Sequence, residues 1–106
     1  MKKTGALKVS VSARVDRVHL VMQPNDGFDL GMMRVTHPVL LCRCLGVEEY
    51  LRGANGVREA LSVDLSNACP SQTILVGSEL HRLLGAPSRA VILFDGARLF
   101  VHPQTP

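Results

Sequence analysis

Residues 7–15, LKVSVSARV, alternate without a break: Leu7, Val9, Val11, Ala13 and Val15 fall on one side, and Lys8, Ser10, Ser12 and Arg14 on the other. A period of two is that of a β-strand with one buried face, because successive side chains point to opposite sides. A helix cannot sort this set, so the fold must contain a sheet with one wet face. The apolar positions then shift phase to Val18, Leu20 and Met22, a slip that a bulge near Asp16–Arg17 would produce. After the slip Arg17 and His19 join the outward face. Lys8, Arg14 and Arg17 then form one basic stripe, and a two-stranded ribbon adds Arg34 to it.

Turn chemistry divides the rest. PNDG at 24–27 is a strong turn signal. In 32–45 the apolar runs MMRV and VLLCRC are broken by Pro38, which argues for an edge strand or a kink rather than a helix. The expectation is a strand paired antiparallel with the first. In 47–54 the period changes: Val47, Tyr50, Leu51 and Ala54 have helical spacing, Glu48 and Glu49 suit a helix start, and Asn55–Gly56 stops it. Val57, Leu61, Val63 and Leu65 return to strand alternation, with Glu59 as the exception.

SNACPSQ is a loop and TILV a short strand. Ser78 is expected to cap a short helix, ELHRLL, which Gly85 and Pro87 end. AVILF and RLFVH flank Asp95–Gly96, a strong hairpin signal. No internal repeat stands out. The expected fold class is α+β: a mainly antiparallel sheet with two short helices, in one compact domain over 1–106, with 103–106 a frayed tail.

At 106 residues one domain is expected, and 46% apolar residues suffice for a core. Aromatics are only 4%, so the core must be Val, Leu, Ile and Met. A small aliphatic core gains stability by self-association, which makes a homodimer the expected state. No run approaches the roughly 18 apolar residues of a membrane span. The start, MKKTGALKVSVSA, lacks the apolar stretch of a signal peptide because Lys8 interrupts it. Three cysteines without a disulfide framework favour a reducing compartment, the cytoplasm.

The segment HPVLLCRCLG, 37–46, poses the main chemical question. On a strand Cys42 and Cys44 share a face, and with His37 and Cys69 they could supply a zinc set. Structural zinc sites instead favour paired cysteines in tight turns, two to four residues apart. A redox pair wants C-x-x-C at a helix start. The thiols are therefore expected to pack as small hydrophobes, with no metal and no cofactor. There is no nucleophile elbow or phosphate loop. His19, His37, His81 and His102 are scattered with no flanking carboxylate pattern, so no catalytic residue is expected.

Within 57–101, QTILVGSELHRLLGAPSRAVILFDGARLFV resembles the swapped-hairpin unit of AbrB-type transcription regulators and the related half-motif of double-psi barrels. The features are Ile74–Val76, then Glu79, Leu80, Arg82, Leu83 and Gly85, then a strand pair. The family pattern has Gly-Arg before the second strand and Pro after it, where this chain has Ser71–Gln72 and Gly77. DNA binding does not follow from such a fold unit alone.

The leading expectation is a non-enzymatic binding or regulatory protein acting through a macromolecular partner, as a homodimer. A second is a small-ligand-binding or enzymatic domain with a pocket lined by Met22, Met32, Met33, Leu40 and Phe94. A third is a duplex-DNA-binding regulator using Lys8, Arg14, Arg17 and Arg34 on phosphates; the lack of stacking aromatics disfavours single strands.

Overall fold

The computed structural model describes residues 2–43 and 57–104. In chain order the elements are β1 (Lys2–Lys3), β2 (Leu7–Val11), β3 (His19–Met22), α1 (Pro24–Asp29), β4 (Thr36–Arg43), β5 (Val57–Leu65), β6 (Thr73–Val76), α2 (Ser78–Leu83), β7 (Arg89–Phe94) and β8 (Arg98–Gln104). The strand order is β1-β7-β2-β6-β3-β5-β4-β8, and β8 pairs back onto β7. Seven strands thus close a barrel, with β1 added beside β2 on the same edge of β7.

This overturns the α+β expectation of a mainly antiparallel sheet. The described residues are mostly strand, and three of the pairings, β2–β6, β3–β5 and β4–β8, are parallel. The expectation failed because it paired strands that follow one another. After Val11 the chain leaves the sheet altogether, and β3 re-enters beside β5 and β6 rather than beside β2. The phase slip at Asp16–Arg17 therefore marks a crossover loop over 12–18, not a bulge. Likewise β4 pairs with β5 and β8, not with the first strand.

The two halves of the barrel are related by pseudo-two-fold pairing. Lys8 pairs with Thr73 in parallel as Ser62 pairs with His19, and β3 pairs antiparallel with β6 about the Val21↔Leu75 position. The correspondence extends to single bonds. The Ser12 N–H donates to the Val76 carbonyl (2.9 Å) as the Ser66 N–H donates to Met22 (2.9 Å). The Ser12 hydroxyl accepts from the Arg14 N–H as the Ser66 hydroxyl accepts from the Ala68 N–H.

Local sequence explains the short helices. PNDG is the first turn of α1 rather than a loop: Pro24 suits a helix start, and the Gln23 side chain accepts from the Asn25 N–H at 2.7 Å. Gly27 suits that place because a Cβ would press on the methyl ends of the Leu65 side chain. The α2 cap is Gly77, not Ser78. Gly31 and Gly85 end the two helices at positive φ, 82° and 91°. The Asp95–Gly96 hairpin forms as expected between β7 and β8, and β8 continues through Gln104. The expected helix over 47–54 and Cys44 lie outside the described residues. No helix among the described residues is long and apolar enough to cross a membrane.

Inward positions build one aliphatic core. Leu20, Met22, Met32, Val63, Ile74, Val76, Ala90, Ile92 and Leu99 are fully shielded. A second, smaller cluster of Cys42, Leu93 and Phe100 occupies outward positions of β4, β7 and β8. Cys42 thus packs as a small hydrophobe.

The crossover loop 12–18 touches Gly77 so closely that a Cβ there would collide with the Val15 carbonyl oxygen. Backbone cannot yield as a flexible side chain can. Gly77→Ala is expected to destabilise the fold by about 1–3 kcal/mol, the range for overpacking. Gly5→Ala, where a Cβ meets nothing within 4 Å, is expected to stay within about 0.5 kcal/mol of wild type. Chemical denaturation of the two variants side by side checks this.

Candidate functional site

The four cations expected to make one stripe are distributed by the barrel. Lys8 stands exposed on β2 opposite Arg89 of β7. Arg14 lies in the crossover loop 12–18. Arg17 is engaged by two carboxylates, Glu59 at 3.3 Å and Glu79 at 3.7 Å. Arg34 sits in the loop between α1 and β4. Of the five residues expected to line a pocket, Met22, Met32 and Phe94 belong to the packed core, and Met33 and Leu40 do not. Met22 and Met32 are fully buried, Phe94 is 4% exposed, and Met33 and Leu40 face solvent. Of the five, Phe94 lines the cleft at one end of the barrel.

Three features carry chemistry or contact surface instead. The first is a polar cluster on the outer face of β3 and β5. Parallel pairing sets Val21 opposite Asp64 and His19 opposite Ser62. The His19 Nδ1 lies 2.6 Å from an Asp64 carboxylate oxygen, and the Ser62 hydroxyl donates to the other at 3.0 Å. The His19 Nε2 is 3.8 Å from Asp16. Arg14 joins these groups around a shallow cleft of about 230 Å³.

The hydrogen bond to Asp64 raises the His19 pKa above its ordinary 6.5; partial burial opposes this, and the charges of Asp64 and Asp16 reinforce it. Because the Ser62 hydroxyl is spent on Asp64, it is not bonded to the imidazole as a nucleophile would be. The cluster favours the protonated form of His19, which then bridges Asp16 of the crossover loop and Asp64 of β5.

The second feature is a cleft of about 380 Å³ at one end of the barrel. Its walls come from β1 (Lys2), the end of α1 (Leu30, Gly31), β4 (His37) and the β7–β8 turn (Phe94, Asp95, Gly96). His37 meets Phe94 edge to face, 5.6 Å between centroids and 85° between planes. The His37 Nδ1 is buried without a hydrogen-bond partner. Burial resists ionisation of Asp95, but the N–H groups of Arg98 and Ala97 and the Arg98 guanidinium outweigh it and hold the carboxyl below its usual range.

The third feature is the connection from α1 into β4: the span from Gly31 to Pro38 is three residues longer than the equivalent span from Gly85 to Arg89. The extra length exposes Met33 (77%) and Val35 (75%). The Met32 N–H bonds the Gly27 carbonyl at 3.0 Å and turns the loop back on α1. Phe28 and Asp29 at the end of α1 and Met33, Arg34 and Val35 after it are all exposed, and together they are called the rim.

Asp64, Ser62, Lys2, Asp95, Phe28, Asp29 and Val35 are not among the site residues the sequence suggested. The outward alternation of β5 could have flagged Asp64, but its partner lies 45 positions away. No group of three or more potential metal ligands converges among the described residues. The chain matches no protein-family model, and a search of curated proteins finds no relative.

A raised folded-state pKa means that His19 stabilises the fold at pH values below 6.5 and loses this contribution as pH rises through the folded value. NMR titration of His19 should give a pKa above 6.5, and Asp64→Asn should lower it. Since both groups are partly exposed, the stability lost in Asp64→Asn is expected to be about 1 kcal/mol in mildly acid solution. It should shrink on the alkaline side. A His19 pKa unmoved by Asp64→Asn would refute this account.

Proposed function

We propose that this chain is a non-enzymatic binding protein that works as a homodimer, two copies meeting through the rim of Phe28, Met33 and Val35. The observation that carries the reading is the exposure of Met33 and Val35, 77% and 75%, on a loop three residues longer than its counterpart in the other half of the barrel. Burying one such side chain is worth about 1.5–3 kcal/mol. A tightly packed barrel has no structural need to hold them in water.

Charge favours a second copy as the occupant. The rim holds one anion, Asp29, and one cation, Arg34, and neither has an ion-pair partner among the described residues. A two-fold interface is self-complementary: each copy offers the other the charge it lacks. The distribution of the basic residues supports a protein partner over a duplex, because Arg17 is committed to Glu59 and Glu79. The interlocked halves support a double-psi reading of the fold unit, and the dimer proposal does not depend on it.

Sedimentation velocity tests this. Wild type is expected to associate with micromolar affinity, about −8 kcal/mol. Met33→Asp should weaken association at least tenfold. Asp29→Arg and Arg34→Asp should each weaken it, and the double exchange should restore it. A monomer at every concentration, or a dimer indifferent to all these changes, overturns the proposal.

A further inference from the structure

We infer that the cleft at the barrel end is a binding site for a small organic carboxylate with an apolar end. Its volume of about 380 Å³ falls in the range of small-molecule sites. Its chemistry is selective. Asp95 lines it but is not available to a ligand cation: one carboxylate oxygen accepts from the Ala97 N–H (3.0 Å) and the Arg98 N–H (2.7 Å), the other from the Arg98 Nε (2.7 Å).

Lys2 is the converse. Its ammonium has no ion-pair partner among the described residues, and it lies close over Gly31, where even a built Cβ would come within 3.6 Å of Nζ. The uncompensated charge of the cleft is therefore positive. Beside it stands His37, whose Nδ1 is shut in the wall without a partner. Leaving a buried polar atom unpaired costs about 1–3 kcal/mol. His37 lines the cleft, and a half-turn of its ring would exchange the buried Nδ1 with a carbon. A carboxylate satisfies both groups at once, taking the Lys2 ammonium on one side and an imidazole N–H on the other. Leu30 and Phe94 leave an apolar floor for the rest of the ligand. The site is independent of whether the chain dimerises.

The test is an NMR titration of the full chain with sodium benzoate, benzamide and acetate, following the Gly31 and Gly96 amides and the His37 ring. Benzoate is expected to shift all three saturably. Benzamide, which has the ring without the charge, and acetate, which has the charge without the ring, should each bind at least tenfold more weakly. Lys2→Ala, a change at an exposed position that leaves the core untouched, should weaken benzoate at least tenfold, and His37→Phe should do the same. No shift with benzoate, equal binding of benzamide, or unchanged affinity in Lys2→Ala overturns the site.

Discussion

The antiparallel pairing of β3 with β6 is the constraint on which this barrel depends. These two short strands come from opposite halves of the chain and meet about Val21↔Leu75. Each has as its other neighbour the leading strand of the opposite half, β5 beside β3 and β2 beside β6, both in parallel. Neither half can therefore complete its own sheet. Leu20, Met22, Ile74 and Val76 are fully buried where the halves interlock, so the hydrophobic gain arrives only when both are present. Such non-local pairing costs loop-closure entropy before it returns contacts, which makes folding slow and cooperative.

Crossing strands need crossover loops that stay down, and the two loops are held by related means. In each, a serine after the leading strand bonds the opposite half and turns the loop with its hydroxyl. The details then diverge. The loop 12–18 lies against Gly77, where only the absence of a side chain admits it. The loop 66–72 is instead anchored by Asp26 of α1, whose buried carboxylate accepts from the Gln72 N–H at 2.8 Å. Gln72 adopts a positive φ of 57°, a conformation costly for a side chain other than glycine, and this bond helps to offset it.

What was legible in the sequence was local. Alternation located β5 and the start of β2, though it ran on to Val15 where the strand ends at Val11; the turn residues located β6 and α2, and Asp95–Gly96 located the final hairpin, because each signal concerns neighbours along the chain. Pairing was not legible, since alternation tells which face is buried but not which strand lies alongside. The internal symmetry was hidden for the same reason. Leu7 and Leu61, Val9 and Val63, Ser12 and Ser66, Leu30 and Leu84, and Gly31 and Gly85 are equivalent positions with the same residue. Between them aliphatic residues exchange freely, and the longer loop before β4 breaks the spacing. α1 was misjudged because Pro24 and Gly27 were weighed as turn formers. The proline belongs to the first helical turn, and the glycine answers to Leu65, a contact 38 positions away that no local rule contains. His19 with Asp64 is invisible by the same logic.

The departures from symmetry are where this molecule differs from a merely stable barrel. The segment from Gly31 to Pro38 begins at the cleft, exposes Met33, Arg34 and Val35, and returns to line the cleft at His37. Its counterpart after Gly85 passes to β7 by the shorter route. A loop that served closure alone would need only that route. The longer one joins the apolar rim to the cleft through a few residues of backbone.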